Sequence, residues 1–235
     1  MKKTKDFQFK QFSISGGYTG MPVSTDGVML GAWAKLDQCS QVLDIGTGTG
    51  LLSLMIAQRY PILEVDAIDI DQHAISAAKQ NFAASPWAER LKLLNGDVLT
   101  YAFNQSYCAI ICNPPYFNSG EKAQNQTRAI ARHSDQLNHQ ALLNRCWQLL
   151  KHNGKASFVL PLMEGNHFIQ LALEMGWHLS RRCEVKPSEA KPVNRLLIEL
   201  SKQPTTVENN LIQIADTQGY STDFVQLTQA FYLKM

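Results

Sequence analysis

The sequence predicts an α/β protein with a mostly parallel sheet that carries helices on both faces. Two observations predict this class. Short apolar runs bounded by turn residues alternate along the chain with longer segments of helical periodicity. The 235 residues, 45% of them hydrophobic, are enough for one sizeable core. Repeated strand–helix–strand units place ligands beyond the carboxyl ends of the strands, so we expect functional residues to follow strands.

Seven predicted strands and four predicted helices make up this pattern. Six of the strands are β-branched or Leu-rich runs over 41–45, 64–70, 91–94, 107–112, 155–160 and 195–200, and 177–186 is predicted as the seventh. The helices cover 50–59, 71–84, 134–151 and 164–175, with Ser134 or Asp135 as a cap of the third. A polar loop containing Pro187 and Pro192 joins the last two strands and is too short for a helical crossover. These two strands are therefore predicted to pair antiparallel and close the sheet.

Composition narrows the class of protein. The formal net charge is only +2, from 22 basic and 20 acidic residues, so a nucleic-acid partner is neither required nor excluded. Five scattered cysteines favour buried thiols over a disulfide framework, with Cys108 and Cys112 both in the core. The sequence has no CxxC or HExxH spacing and no apolar run long enough to span a membrane. We expect a cytoplasmic monomer without a metal.

A glycine-rich loop follows the first predicted strand. Residues 42–50 read V-L-D-I-G-T-G-T-G, and Gly46, Gly48 and Gly50 let the backbone approach a ligand without a Cβ in the way. The spacing is GxGxG, with Leu51 where the dinucleotide fingerprint has its third glycine, which disfavours NAD. The loop also lacks the Lys-Ser or Lys-Thr with which a P-loop holds phosphates. It predicts a nucleoside-cofactor site, with a ligand-free turn as the alternative.

Two carboxylates follow the next two strands. Asp69 ends the second strand about 20 residues after the loop, where a carboxylate can accept hydrogen bonds from both ribose hydroxyls. Asp97 follows the third strand and can accept a hydrogen bond from the amino group of the cofactor's adenine. A solvated strand end for Asp69 and a turn residue for Asp97 are the alternatives. The position of Asp69 favours the ribose interpretation.

The segment Asn113-Pro114-Pro115-Tyr116 follows the fourth strand, and its prolines end that strand and fix the next turn. The Asn113 side-chain carbonyl and the Pro114 backbone carbonyl can accept both hydrogens of a planar amino group and turn its lone pair toward an activated methyl group. Tyr116 and Phe117 can stack on the target ring. A polyproline turn with a buried tyrosine is the alternative. Together with the glycine loop and Asp69, the segment predicts methylation of an amine without a strong base.

Five runs of sequence carry a family resemblance. They are Phe9 to Phe12, Ser24 to Trp33, Leu43 to Gly50, Asn113 to Phe117, and Leu227 to Leu233, and the most specific run reads T-D-G-V-M-L-G-A-W. They resemble the class I S-adenosylmethionine-dependent methyltransferases with an N-P-P-Y motif. More narrowly, the chain is similar to the bacterial tRNA-1-valine adenine-N6 methyltransferase family, which modifies the adenosine beside the anticodon. One departure is Pro22, at a position where that family often has a lysine.

The resemblance implies a Rossmann-like class I methyltransferase fold, S-adenosylmethionine as cofactor and tRNA as substrate. It places Thr25 and Asp26 beside the methionine end of the cofactor, on a helix for which Thr25 is also a plausible N-cap. Asp44 and Asn113 join Gly46, Gly48, Gly50, Asp69 and Asp97 as cofactor-contacting residues. We expect one methyltransferase domain, divided into an N-terminal arm (1–20), a leading helix (24–35), a catalytic core (41–201) and a C-terminal extension (202–235). Residues 1–15, 118–127 and 203–210 are predicted to be the least structured.

Basic residues offer two candidate RNA footprints, although solvated charge is an equal alternative. One comprises Arg181, Arg182, Lys186, Lys191, Arg195 and Lys202, and the other Lys2, Lys3, Lys5 and Lys10. Arg128, Arg132 and His133 follow the N-P-P-Y segment and could contact flanking nucleotides.

Three other functions compete with RNA methylation. A methyltransferase acting on a protein glutamine amide would use the same acceptor geometry, but that family carries a preceding helical domain. A non-catalytic binding module is disfavoured by the complete N-P-P-Y segment. A DNA adenine methyltransferase is disfavoured because the chain shows no segment large enough for a target-recognition domain.

Overall fold

The computed structural model describes residues 3–18, 22–114 and 139–234. Its strands are β1 (Phe7–Gln8), β2 (Ser13–Ile14), β3 (Gln41–Ile45), β4 (Glu64–Asp69), β5 (Leu91–Asn95), β6 (Tyr107–Cys112), β7 (Leu150–Pro161), β8 (His178–Ser188), β9 (Arg195–Ser201) and β10 (Glu208–Ala215). Its helices are α1 (Thr25–Trp33), α2 (Leu51–Arg59), α3 (Gln72–Ala83), α4 (139–149 as described), α5 (Leu162–Glu174) and α6 (Thr222–Thr228). No helix of the described ranges has both the length and the apolar character needed to cross a membrane.

The main sheet confirms the predicted α/β class and contains eight strands within the described residues, in the order β10-β8-β9-β7-β6-β3-β4-β5. Strands β3 to β7 run parallel, and β9 is antiparallel to both β7 and β8, as predicted for the closing pair. The chain leaves β3 for β4 on one side and returns to β6 on the other. The carboxyl ends of β3 and β6 therefore flank the point where strand order reverses, which is where ligands bind in such sheets.

The predicted count of seven strands is wrong, because β10 adds an eighth strand parallel to β8. Its first residues fall in the stretch 203–210 that was predicted to be among the least structured. Every residue of β10 is exposed or partly exposed, since the strand lies at the edge of the sheet. Hydrogen bonds to β8 form this strand, and its sequence lacks the apolar run that marks a buried one.

Helix α4 ends earlier than predicted, at residue 149, and β7 begins at Leu150, earlier than the expected start at 155. Leu149 and Leu150 are both buried, so the apolar pattern does not mark the boundary between them. Leu150 pairs with Tyr107, and the register then shifts before Ala109 pairs with Lys155. The proposed caps Ser134 and Asp135 lie outside the described residues.

The N-terminal segment is ordered against the core, which corrects the expectation of a poorly structured arm. Strands β1 and β2 form a small antiparallel sheet, and Phe9, Phe12 and Ile14 are buried. The rings of Phe9 and Phe12 stack with centroids 4.6 Å apart, and Phe12 meets the edge of Trp87. Aromatic burial therefore fixes this segment on the face of the sheet that also carries α1, α2 and α6.

Cysteine pairing differs from the prediction. Cys39 and Cys108 form a disulfide that joins the residues before β3 to β6, with Cα atoms 5.5 Å apart. Cys112, Cys146 and Cys183 are buried free thiols, as expected. Burial raises the pKa of the Cys146 thiol to about 12. Scattered positions in sequence did not indicate the pair, because β3 and β6 become neighbours only in the folded sheet.

Candidate active site

A cavity of about 480 Å³ lies at the carboxyl ends of β3, β4, β5 and β6. The glycine loop, the ends of β4 and β5 and the end of β6 all contribute to its walls, as do the residues before α1 and the start of α4. Residues predicted from four separate motifs line it together: Gly46, Gly48, Asp69, Asp97, Asn113 and Pro114. Pro115 and Tyr116 lie outside the described residues.

The three glycines of the loop have different local surroundings. All have positive φ angles, 68° at Gly46, 57° at Gly48 and 86° at Gly50. A Cβ at Gly46 or Gly48 would meet no atom within 4 Å, whereas a Cβ at Gly50 would lie 2.4 Å from Cε1 of Phe82. Gly50 is not among the residues that line the cavity. Gly46 and Gly48 therefore open the loop toward a ligand, and Gly50 allows the loop to pack against α3.

Asp44 lies fully buried beneath the loop, near the end of β3. Its Oδ2 accepts hydrogen bonds from the Thr47 hydroxyl at 2.7 Å and from the Ser53 hydroxyl at 2.6 Å and amide at 3.2 Å. Its Oδ1 has no hydrogen-bond partner among the described residues. Desolvation raises the pKa of Asp44 to about 6, against the opposing effect of the Ser53 and Thr47 hydrogen bonds. Asp44 is not among the residues that line the cavity; its hydrogen bonds with Thr47 and Ser53 hold the loop to the start of α2.

Asp69 connects the loop to α3. Its Oδ2 accepts a hydrogen bond from the Gly48 amide at 2.8 Å, and its Oδ1 accepts one from the Asp71 amide at 2.9 Å. Asp71 in turn caps α3 by accepting from the His73 amide. Each Asp69 oxygen retains a further lone pair that can accept a ligand hydroxyl.

Asp97 lies in a turn after β5. Its Oδ1 accepts a hydrogen bond from the Leu99 amide at 2.9 Å, which stabilises the turn, and the residue also lines the cavity. Arg145 of α4 holds this turn by donating to the backbone carbonyls of Val98, at 2.8 Å, and Tyr101. The turn and α4 therefore form one wall of the cavity.

Asn113 and Pro114 follow directly after β6. Gly27 in the first turn of α1 lies beside them, because a Cβ on Gly27 would be 3.7 Å from Nδ2 of Asn113. The first turn of α1 therefore backs the Asn113 amide. Cys112, the last residue of β6, is buried, so the strand end is held firmly in the sheet.

The N-cap of α1 is Ser24, which corrects the assignment of Thr25. The Ser24 hydroxyl accepts a hydrogen bond from the Gly27 amide at 3.1 Å. Thr25 is exposed and its side chain hydrogen-bonds with Tyr232, while Asp26 pairs with Nε of Arg195 at 2.8 Å. The cavity is lined by Ser24 and Gly27, and neither Thr25 nor Asp26 is among its lining residues.

Four of the six basic residues between 181 and 202 have partners within the protein. Arg181 is 4% exposed, stacks on Trp33 at 3.8 Å and pairs with the buried Glu199. The other partners are Glu184 for Arg182, Asp26 for Arg195 and the Leu150 carbonyl for Lys202. Arg181 is therefore neither solvated charge nor a phosphate contact. Arg128, Arg132 and His133 lie outside the described residues.

Sequence reasoning missed several lining residues. Val23, Ile70, Leu99, His139 and Leu142 contribute to the cavity wall. Ile70 and Leu99 come one and two residues after the predicted site residues Asp69 and Asp97, and this position in the sequence is the signal that could have marked them. His139 and Leu142 are brought to the cavity by α4, and nothing in their local sequence indicates this.

Comparison with known proteins adds family membership to this geometry. Residues 28–162 match the methyltransferase small domain family. Proteins named tRNA1(Val) (adenine(37)-N6)-methyltransferase are 58% identical in Vibrio campbellii and 60% identical in Vibrio vulnificus strain CMCP6, each over 99% of this chain and 98% of the relative. The protein of that name from Vibrio cholerae strain M66-2 is 53% identical over 98% of this chain and 96% of its own length.

Solved structures support the fold. A predicted O-methyltransferase from Agrobacterium tumefaciens superposes with a TM-score of 0.65 and 15% identity, covering 86% of this chain and 95% of that one. TrmN from Thermus thermophilus superposes with a TM-score of 0.52 and 20% identity, covering 70% of this chain and 44% of that one. The glycopeptide N-methyltransferase MtfA, solved with S-adenosyl-L-methionine, superposes with a TM-score of 0.56 and 15% identity, covering 77% of this chain and all of that one.

Proposed function

The chain belongs to the family of tRNA1(Val) (adenine(37)-N6)-methyltransferases, and we propose that it methylates N6 of adenosine 37 in a valine tRNA, with S-adenosylmethionine as donor. The observation that carries the proposal is the meeting of Asn113 and Pro114 with the glycine loop and Asp69 at one cavity. A donor-binding loop and an amine-binding segment at the same strand ends are what methyl transfer to an amino group requires.

The cavity suits S-adenosylmethionine in size and chemistry. Its volume of about 480 Å³ lies within the range of small-molecule sites, roughly 300 to 1,000 Å³. The backbone of Gly46 and Gly48 lies in the cavity wall, where no atom of the described residues, chain neighbours aside, lies within 4 Å of a Cβ built on either residue. The carboxyl groups of Asp69 and Asp97 lie in the cavity wall and favour a cationic ligand. S-adenosylmethionine supplies a methyl group on a positively charged sulfonium, together with an ammonium, a carboxylate, a ribose and an adenine.

The ribose and the adenine of such a ligand each have a candidate partner in the cavity wall. In the proposal Asp69 accepts hydrogen bonds from the ribose hydroxyls, because both of its oxygens are held at the cavity wall by the Gly48 and Asp71 amides. Asp97 accepts from the adenine amino group, with the exposed side chains of Ile70 and Leu99 as apolar cover for the ring. Thr25 and Asp26 act indirectly, by holding α1 against Tyr232 and Arg195.

Asn113 and Pro114 bind the target amine. The Asn113 side-chain carbonyl and the Pro114 backbone carbonyl each accept one amino hydrogen, which directs the nitrogen lone pair toward the methyl donor. Positive charge develops on the nitrogen as it is methylated, and two fixed carbonyl dipoles stabilise it. The excess proton leaves after transfer, so a strong base is unnecessary. Stacking of the target ring on Tyr116 stays a prediction, as does the contribution of Pro115.

Methyl transfer to tRNA tests the proposal. The purified protein is incubated with isotopically labelled S-adenosylmethionine and total bacterial tRNA that lacks this modification, and the digested nucleosides are analysed by mass. Labelled N6-methyladenosine is the expected product. Label in another nucleoside would overturn the assignment to adenine N6. Binding of the cofactor without label in tRNA would favour a protein glutamine amide or another RNA as the acceptor.

A further inference from the structure

A buried asparagine joins the N-terminal segment to the glycine loop. Asn81 lies near the end of α3 and is 3% exposed. Its Nδ2 donates to the Thr49 carbonyl at 2.8 Å and to the Ser15 carbonyl at 3.1 Å. Its Oδ1 accepts from the Ser15 amide at 2.8 Å. One side chain thus satisfies three backbone groups in two segments 34 residues apart in sequence, Ser15 and Thr49.

The N-terminal segment is itself closed around this contact. The Asp6 carboxylate accepts from the Gly16 amide at 2.9 Å, and the Thr4 amide donates to the Gly17 carbonyl at 2.8 Å. Gly17 packs so closely on α3 that a Cβ there would lie 3.2 Å from Cβ of Ala77. The segment therefore contacts α3 as a compact unit. Pro22, Val23 and Ser24, which follow a few residues later in the sequence, line the cavity.

The same turn of α3 also contacts the glycine loop through a ring. Phe82 follows Asn81 and lies against Gly50, where a Cβ would come within 2.4 Å of Cε1. Asn81 and Phe82 thus hold Thr49 and Gly50 by a hydrogen bond and by packing. Thr49 lines the cavity, so these two contacts set the position of the loop where a ligand meets it.

We propose that Asn81 is a positioning residue for the cofactor, and that through Asn81 the N-terminal segment helps to hold the glycine loop in the geometry that binds the cofactor. Without the Asn81 amide, the Thr49 carbonyl and both Ser15 backbone groups would lose a buried partner. The loop would then spend part of its time away from the binding geometry, and the ligand would have to restore it on binding. This inference rests on the proposed function, because it concerns the same cofactor.

The test compares two amide-to-leucine variants of the full chain. Asn81→Leu removes all three hydrogen bonds at similar volume. Gln58→Leu is the matched control, because Nε2 of Gln58 in α2 also ties a helix to a terminal segment, at the Ala230 carbonyl, 2.9 Å away. Dissociation constants for S-adenosylmethionine are measured by calorimetry, and kcat and KM by methyl transfer to tRNA.

We expect Asn81→Leu to weaken cofactor binding about tenfold and to raise the KM for S-adenosylmethionine similarly, a change equivalent to about 1.4 kcal/mol. The kcat at saturating cofactor should stay within about twofold, since the loop is in place once the ligand is bound. Gln58→Leu should leave both constants unchanged. Equal cofactor affinity in Asn81→Leu and the unaltered protein would overturn the inference.

Hydrogen exchange supplies an independent test if Asn81→Leu does not fold. Asn81→Asp keeps the size and the Oδ1 acceptor but loses both donated hydrogen bonds. In the unaltered protein, S-adenosylmethionine should slow amide exchange in residues 13–17 as well as in the loop, and in Asn81→Asp the effect on 13–17 should disappear. Protection of 13–17 by the cofactor that persists in Asn81→Asp would contradict the coupling. Failure of the unaltered protein to bind S-adenosylmethionine would instead reject the proposed function, and this inference with it.

Discussion

The Gly48 amide donates a hydrogen bond to Oδ2 of Asp69 over 2.8 Å, which joins the glycine loop after β3 to the end of β4. Gly48 has a φ of 57°, and this left-handed conformation aims its N–H at the neighbouring strand end. The carboxylate proposed to hold the ribose is therefore fixed by the same loop that is proposed to approach the rest of the cofactor. Because this hydrogen bond joins the loop to the carboxylate, a substitution in either one should affect cofactor binding through both.

Asp69→Ala should weaken binding of S-adenosylmethionine by about 10- to 100-fold, since hydrogen bonds to a charged group contribute about 1.5–3 kcal/mol. Calorimetric titration measures this. Asp66→Asn is the control, because Asp66 lies on the same strand and accepts from the Tyr107 hydroxyl at 2.6 Å, away from the cavity lining. That control should lose stability and keep its affinity. Unchanged affinity in Asp69→Ala would reject the ribose role.

Gly50→Ala should mainly lower the stability of the protein, and Gly48→Ala should mainly impair cofactor binding. At Gly50 the new Cβ would collide with the Phe82 ring, so we expect the free energy of unfolding to fall by roughly 2 to 5 kcal/mol from overpacking and left-handed strain. At Gly48 only the strain applies, about 1 to 2 kcal/mol, but the Cβ enters the cavity and should impair cofactor binding. Urea unfolding and calorimetric titration of both variants separate the effects. Equal losses of stability would contradict this division of roles.

Asp44 should make the ligand-free protein lose stability as pH rises. Burial raises the pKa of Asp44 to about 6, so between about pH 4 and pH 6 the folded state binds a proton that the unfolded state has released. The stabilising contribution of the protonated form is complete below about pH 4 and lost above about pH 6. On the order of 2 to 3 kcal/mol should disappear over this interval relative to Asp44→Asn, which does not titrate. If the free energies of unfolding of the two proteins change equally with pH, Asp44 does not titrate in this way.

Asn113→Ala should keep cofactor binding and lose methyl transfer. Removing one preorganised polar group that stabilises developing charge lowers kcat by about 100- to 1,000-fold. Asn194→Ala is a suitable control, because Asn194 is an exposed asparagine next to β9 at the same edge of the sheet. Single-turnover transfer measured at saturating cofactor compares the variants. Near-normal transfer by Asn113→Ala would remove Asn113 from the mechanism.

Local sequence predicted the central strands and the residues that follow them. β3 and β6 have the predicted bounds, because nearly every residue of each strand is buried, on both faces of the sheet, and most of these residues are apolar. The glycine loop, Asp69, Asp97 and Asn113 reach one cavity because parallel strands bring their carboxyl ends to one edge. The alternation of strands and helices in the sequence predicted this meeting, although the roles of these residues stay proposals.

Features formed by contacts between distant segments could not be predicted in this way. The edge strand β10 has no apolar run of its own, and the Cys39–Cys108 bond joins residues 69 apart in sequence. The ion pair between Asp26 and Arg195 and the hydrogen bonds of Asn81 likewise depend on how helices lie on the sheet. Hydrophobic periodicity records which face of an element is buried and carries no information about its partners.

The most direct test of the account is methylation of a single defined RNA. An unmodified transcript of the valine tRNA and a transcript with guanosine in place of adenosine 37 are each incubated with the protein and labelled S-adenosylmethionine. The account predicts one methyl group, recovered as N6-methyladenosine, on the first transcript and none on the second. Equal labelling of both transcripts would contradict the assignment of adenosine 37 as the target.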